Sequence, residues 1–165
     1  MQTQTSRVSM GRRAFTLIEM LIVIVILGVL AMVIIPQIST STDDAKLSTL
    51  RTNLTSMRNA VELYYAQHSS MYPATNGTYQ TFLQQLTRYT DAGGTVSATK
   101  DTTYKFGPYL KGGNLAMNPF NNKNDAVIDA STADITVKAS DGTTGWKFYA
   151  KTGVLIANDG AHDNE

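Results

Sequence analysis

Residues 15–35 read FTLIEMLIVIVILGVLAMVII, and this apolar stretch decides how the rest of the chain is interpreted. Its one charged residue is Glu19. At ~1.5 Å per residue, a helix of this length matches the hydrocarbon core of a bilayer, which is about 30 Å thick. A lone segment inside a bilayer can satisfy its backbone groups only as a helix. The stretch therefore predicts a membrane-spanning helix over 15–36.

The segment before the apolar stretch, residues 1–14, carries Arg7, Arg12 and Arg13 and no acidic residue. Positive charge beside a first membrane span keeps that side in the cytoplasm, so the remainder of the chain should be exported. A cleavable secretory signal is the alternative interpretation. The apolar run is about twice as long as a usual signal core, and no small-x-small cleavage site follows it. A retained membrane anchor is therefore favoured.

Glu19 lies about one helical turn inside the cytoplasmic boundary of the predicted span. An ionisable group within a membrane helix costs about 2.5–3.5 kcal/mol on insertion scales, which favours a functional role over an accidental charge in a simple anchor. A cut between Ala14 and Phe15 would create an α-amine about 6 Å along the helix axis from this carboxylate. The amine could pair with the same chain's Glu19 or with that of a neighbouring copy.

The residues at 11–19, GRRAFTLIE, are followed by Gly28 and Pro36. This pattern resembles the class III signal of type IV pilins and type II secretion pseudopilins. The resemblance implies that prepilin peptidase cuts after Ala14 and methylates Phe15. It also implies that Glu19 takes part in subunit assembly, and that Gly28 and Pro36 distort the helix. The chain departs from the family at Ala14, where the family usually has glycine.

These features divide the chain into a leader peptide over 1–14, a transmembrane and polymerisation helix over 15–36, and an exported pilin-like domain over 37–165. Cleavage would remove three arginines and no acidic residue. The helix could then leave the bilayer for a bundle of identical helices, where an unpaired Glu19 would be strongly unfavourable. Pairing with a neighbour's Phe15 ammonium would fix the register of the polymer. Pro36 predicts either a flexible joint or a simple helix boundary.

The exported part predicts an α+β fold in which one long N-terminal helix, its first half in the membrane, packs on a small C-terminal antiparallel sheet. The helix could run from Phe15 to about Gln67. Its inner face is a stripe at helical spacing, formed by Leu47, Leu50, Leu54, Met57, Val61 and Tyr64.

Beyond this helix the chain predicts a short helix and several strands. Thr78 can cap a short helix that reaches Tyr89, and residues 91–103 are predicted as a surface loop. Alternating residues predict strands over 134–139 and 145–150, and 153–157 follows as another strand. A hairpin turn at 151–153 joins the last two strands.

The C-terminal half is similar to the major pseudopilins of type II secretion in features such as Gly107-Pro108-Tyr109-Leu110 and Asn118-Pro119-Phe120. No resident cofactor is predicted. The resemblance admits a calcium ion in a C-terminal loop, because major pseudopilins often hold one with carboxylates and backbone oxygens. Hard oxygen ligands are available in that region, and solvated loop charges are the competing interpretation for the four aspartates: Asp125, Asp129, Asp134 and Asp141.

Composition narrows the function classes. The 165 residues include no cysteine, and 14 basic and 13 acidic residues give a net charge of +1. Thiolate chemistry is therefore excluded, and no nucleic-acid partner is expected. No nucleophile elbow, His–acid pairing or phosphate-binding glycine loop indicates an enzyme.

The leading hypothesis is a homo-polymerising secretion pseudopilus subunit. Its expected partners are prepilin peptidase, an inner-membrane assembly platform and minor pseudopilins. Before assembly the chain would cross the bacterial inner membrane once, with its N-terminus in the cytoplasm. The filament would be periplasmic or extracellular. A type IV pilus pilin serving adhesion, motility or DNA uptake, and a membrane-tethered binding module, are the alternatives.

Overall fold

The computed structural model describes residues 15–165, without the side chains of 33–41. The predicted leader 1–14, including Ala14, lies outside the described residues, as does the side chain of Pro36. The chain forms two compact units, whose boundary falls between Thr42 and Asp43.

The first helix, α1, runs from Leu17 to Gln67 and contributes residues to both units. The predicted long helix is therefore confirmed to within two residues of its start. Because α1 continues through Pro36, the alternative that Pro36 ends a helix is wrong. Within the part of the chain that the structure describes, no helix combines the length and apolar character that crossing a bilayer requires.

The N-terminal part of α1 buries none of its large apolar side chains. From Phe15 to Met32 they are all between 47% and 85% exposed, with Val23 the least and Leu17 the most accessible. Residues that would normally form a hydrophobic core therefore lie at the surface of the single chain.

The C-terminal part of α1 packs into a core, as the predicted stripe requires. Its members Leu50, Leu54, Met57, Val61 and Tyr64 are each at most 2% exposed, and Leu47 packs against them in a half-buried position. The 3–4 spacing places these side chains on one side of the helix.

A short second helix, α2, runs from Tyr79 to Thr87. The Oγ1 atom of Thr78 accepts a hydrogen bond from the backbone N–H of Thr81 at 3.3 Å, which is the N-cap predicted for this helix. The helix ends two residues before the predicted Tyr89, which instead begins a small antiparallel pair of strands. The strands β1 (Tyr89–Thr90) and β2 (Val96–Ser97) also place two paired residues in the predicted 91–103 loop.

The main sheet has three strands in the order β3 (Ala126–Asp129), β4 (Trp146–Tyr149) and β5 (Val154–Ala157). The strands β4 and β5 form the predicted antiparallel hairpin. The strands β3 and β4 run parallel, with Ala126 opposite Trp146, so the sheet is mixed. The α+β fold is confirmed.

The predicted strand over 134–139 is wrong. Two parallel strands require a connection that crosses from the end of one to the start of the other. Residues 134–139 lie in that crossover between β3 and β4, and Ile135 within it is 64% exposed. The alternating pattern is real, but no strand among residues 15–165 pairs with it.

One hydrophobic cluster joins α1, α2 and the main sheet. Trp146 is fully buried in it, and its indole N–H donates a 2.7 Å hydrogen bond to the carbonyl oxygen of Ala116. The β4–β5 turn packs closely, since a side chain at Gly153 would collide with the ring of Tyr72. Unlike residues 15–32, this part of the chain covers its own apolar surface.

Candidate assembly site at the start of the first helix

Thr16 and Glu19 cap the N-terminus of α1 reciprocally. The backbone N–H of Thr16 donates to Oε2 of Glu19 at 2.8 Å, and the Thr16 hydroxyl donates to the same oxygen at 2.9 Å. In return, the backbone N–H of Glu19 donates to Oγ1 of Thr16 at 3.3 Å. This arrangement is a capping box, in which two otherwise unpaired helix donors are satisfied by side chains.

The capping box holds the Glu19 carboxylate beside the place where cleavage would create a new amine. Thr16 directly follows Phe15, so the carboxylate is hydrogen-bonded to the residue next to that nitrogen. The positive end of the helix dipole also favours an anion at this position. Both Phe15 and Glu19 are exposed and therefore accessible to a second chain.

Sequence reasoning identified Glu19 and missed Thr16. The available signal was the spacing T-x-x-E immediately before an apolar run, which predicts a capping box. Gly28 lies within the apolar N-terminal part of α1, and a side chain there would meet no atom within 4 Å. Packing within the single chain therefore does not require a glycine at this position. The distortion predicted at Gly28 and Pro36 stays a prediction.

The prokaryotic N-terminal methylation motif matches residues 9–35, a segment that includes Phe15 and Glu19. The chain is 27% identical to type II secretion system core protein G of Vibrio cholerae over 146 residues, which cover 87% of this chain and 89% of that protein. It belongs to the pilin and pseudopilin superfamily and is most like a major pseudopilin.

Two further relatives have the same name. Core protein G of Pseudomonas aeruginosa is 32% identical over 73 residues, and that of Escherichia coli is 30% identical over 76 residues. These two matches cover 44% and 46% of this chain and about half of each relative, 51% and 52%. No solved structure matches this pseudopilin.

The four candidate calcium ligands of this pseudopilin have different hydrogen-bond partners. Asp125 accepts a hydrogen bond from the N–H of Gly145 at 3.0 Å, while Asp129 accepts from Ser131 and Thr132. Asp134 likewise accepts from its own loop. Among the described residues no three acidic or histidine side chains come together in a group that could hold a metal ion.

Asp141 belongs to a polar network around Asn158, a buried residue that sequence analysis did not single out. The Asn158 side-chain oxygen accepts from the N–H of Asp141 at 2.8 Å and from the Ser140 hydroxyl at 3.1 Å. Its Nδ2 group donates to Asp141 Oδ1 at 2.7 Å and to Thr144 Oγ1 at 2.8 Å. One fully buried amide therefore joins the 140–144 loop to the end of β5.

Proposed function

We propose that this chain is the structural subunit of a type II secretion pseudopilus that polymerises through the N-terminal part of α1. The observation that carries the proposal is the exposed apolar surface from Phe15 to Met32, next to a domain that covers its own core. Water disfavours so much contiguous apolar surface. The methylation motif and the similarity to core protein G support the assignment.

The apolar part of α1 has two suitable environments, a bilayer and a bundle of identical helices. Its apolar residues surround the whole helix instead of forming one stripe, which is typical of a helix that is covered on every side. The leader arginines would hold the N-terminus in the cytoplasm during insertion. Their removal by prepilin peptidase, with the cut after Ala14, would release the helix for transfer into the filament.

In the filament, the Glu19 carboxylate would pair with the methylated Phe15 ammonium of an adjacent subunit. Monomethylation keeps the positive charge of the amine. The capping box supports this role, because it keeps the carboxylate at the exposed start of α1. Desolvation offsets much of the attraction between buried charges, so the pair contributes chiefly to register: a subunit at the wrong height would leave both charges unpaired.

The proposal defines the partners and location of the chain. Before assembly it is anchored in the inner membrane by a single span, with the domain from Asp43 onward exported. It then contacts an assembly platform and minor pseudopilins, and the resulting filament lies in the periplasm or outside the cell. Its role is structural, without catalysis and without a resident cofactor.

A calcium ion is not part of the proposal, although the family resemblance admits one. The different hydrogen-bond partners of the four aspartates support this choice. A thermal unfolding midpoint that is the same in millimolar calcium and in chelator would agree with it, whereas a calcium-dependent rise would reveal a site.

Two measurements on the full chain, expressed with a type II secretion machinery, test the proposal. Mass spectrometry should find a mature chain that begins with methylated Phe15, and electron microscopy should find filaments. Deletion of the gene should also abolish export of the secreted proteins. A chain that keeps residues 1–14, or that stays monomeric while secretion continues, would contradict the proposal.

A further inference from the structure

The crossover between β3 and β4 forms an exposed ridge, defined here as residues 134–138, whose apolar members are Ile135 and Val137. The chain is tied down on both sides of it. Before the ridge, Asp129 accepts hydrogen bonds from Ser131 and Thr132. After it, the N–H of Ala139 donates to the Tyr149 hydroxyl at 3.0 Å. The ridge is therefore held against the domain, yet Ile135 is 64% exposed and Val137 is 36% exposed.

A groove of about 590 Å³ lies between α1 and the 109–116 loop. Its apolar lining includes the half-buried Tyr109, Leu110 and Ala116, together with Met57 and Leu115, which are only 1% and 4% exposed. Asn53 and Ser56 line it from the helix, and the exposed Lys111 lines it from the loop. The groove therefore combines an apolar floor with one positive charge.

The ridge and the groove lie on opposite flanks of α1. On the ridge side, Ile135 and Lys138 line a separate cavity with Arg58 and Glu62 of the helix. At 100° per residue, Glu62 is about 180° around the helix from Asn53, which lines the groove. A ridge therefore cannot reach the groove of its own chain, but the next copy alongside can present its ridge there.

The chemistry of the two surfaces is complementary. Ile135 and Val137 are β-branched apolar side chains that fit an apolar floor, and Asp134 beside them is exposed. Its Oδ1 atom accepts the two bonds from Thr136, which leaves Oδ2 available to a further donor. The Lys111 ammonium at the groove supplies such a donor, and charge complementarity of this kind fixes orientation and register.

We propose that the ridge of one exported domain docks in the groove of the next copy of this chain. A surface and its complement on opposite flanks make a head-to-tail contact, which generates an open helical array wherever the rotation between copies does not close a ring. This inference rests on the proposed function, and it adds a second contact between subunits besides the one at Glu19.

Cysteine cross-linking in assembled filaments tests the contact, because the chain has no cysteine of its own. The Ile135→Cys, Ser56→Cys double variant, expressed as the full chain with the assembly machinery and oxidised, should give a ladder of cross-linked oligomers. Each single variant should give no dimer, and a mixture of the two single variants should give dimers only. The matched control pair, Ile135→Cys with the exposed Thr102→Cys, should cross-link at least about tenfold less.

Each other outcome overturns the inference in a different way. Filaments without a ladder would contradict the ridge–groove contact and leave the proposed function intact. Dimers of Ile135→Cys alone would indicate a symmetric contact, and a cross-link from residue 135 to a different protein would show another occupant. If the unsubstituted chain forms no filaments, both proposals fail.

A charge exchange gives a second, milder test that preserves the fold. In the double-cysteine background, Lys111→Glu or Asp134→Lys should each lower the cross-linking yield about 2- to 5-fold, the range for an exposed ion pair. The two exchanges together should restore the yield. If the two exchanges together do not restore the cross-linking yield, Asp134 and Lys111 do not pair, and the register based on that pair is wrong.

Discussion

The two parts of α1 differ in how far their apolar side chains are exposed. Between Leu17 and Met32 no large apolar side chain is less than 47% exposed, whereas Leu50, Leu54, Met57 and Val61 are at most 1% exposed. Both parts have helical backbone, so secondary structure does not distinguish them. The difference lies in what surrounds them, because only the second part has a sheet of its own chain to pack against.

The comparison shows how the sequence assigns separate roles within one helix. A stripe of apolar residues suits a helix that is covered on one side by its own domain, and a fully apolar surface suits a helix that other molecules surround. The C-terminal part can therefore be stable in a single exported domain. The N-terminal part leaves its apolar side chains exposed in the single chain, which agrees with the proposed bilayer or polymer environment.

The first prediction tests the N-terminal part where its one charge lies. Glu19→Ala should lower the amount of sedimentable filament by more than tenfold, because it leaves an adjacent subunit's ammonium buried without a partner, at about 3–5 kcal/mol. Membrane insertion and the unfolding midpoint of the exported domain should not change. Filament yield is measured by sedimentation and electron microscopy.

Glu19→Gln is the matched control for this variant. Glutamine keeps an oxygen that can accept the Thr16 hydrogen bonds but has no charge. If it assembles like the unsubstituted chain, capping and not ion pairing is the role of Glu19.

The second prediction contrasts truncations in the two parts. Trp146→Ala should lower the free energy of unfolding of the exported domain by about 3–5 kcal/mol, since it empties a fully buried site. Leu27→Ala, at a side chain that is 58% exposed, should leave that stability within about 0.5 kcal/mol. Chemical denaturation checks both values. Equal losses at the two positions would mean that the apolar part of α1 also packs within the single chain.

The third prediction concerns the buried amide of Asn158. Asn158→Ala should cost about 1–3 kcal/mol of unfolding free energy, because it removes a buried amide together with its hydrogen bonds to Asp141 and Thr144. The exposed Asn164→Ala serves as the control, with an expected change below about 0.5 kcal/mol. A neutral Asn158→Ala would mean that water replaces the amide and that the 140–144 loop does not depend on it.

The smallest effect expected is a dependence on acid. Hydrogen bonds from the Thr143 hydroxyl and N–H, together with Asn158, lower the pKa of Asp141 to about 2. Its pKa in the unfolded chain is about 3.9, so the ionised carboxylate stabilises the folded state above pH ~4, and this contribution is lost as the pH falls toward 2. Urea unfolding between pH 2 and pH 6 should show that the free energy of unfolding depends less steeply on pH in Asp141→Asn than in the unsubstituted chain. Identical pH profiles for the two chains would show that Asp141 does not contribute to the pH dependence of stability.

The elements that follow from local pattern are those that sequence analysis predicted. The stripe from Leu47 to Tyr64, the Thr78 cap and the β4–β5 hairpin are confirmed, because each depends on residues close together in the chain. At the candidate site, Glu19 stands out as a charge in an apolar run. Its partner Thr16 could have been found from the capping-box spacing, which uses the same four residues.

The features that sequence analysis predicted wrongly or missed depend on contacts between residues far apart in the chain. Residues 134–139 alternate as a strand would, yet β4 pairs with 126–129 on one side and with 154–157 on the other. The local sequence does not show whether 126–129 or 134–139 pairs with β4, because that pairing depends on how the crossover passes the sheet. The burial of Asn158 was equally inaccessible, since a polar residue in an irregular segment has the same local pattern whether it is buried or exposed.

Trp146 is the only tryptophan of the chain, and it is buried beneath the sheet with its indole N–H bonded to Ala116. Its fluorescence emission is therefore an intrinsic, label-free signal from this domain alone, because residues 15–36 contain neither tryptophan nor tyrosine. A red shift on denaturation would follow opening of that domain in a detergent micelle, a vesicle or an intact fibre. The same optical readout can thus compare the domain's folding in lipid-bound and in polymerised chains, the two states of the proposed function.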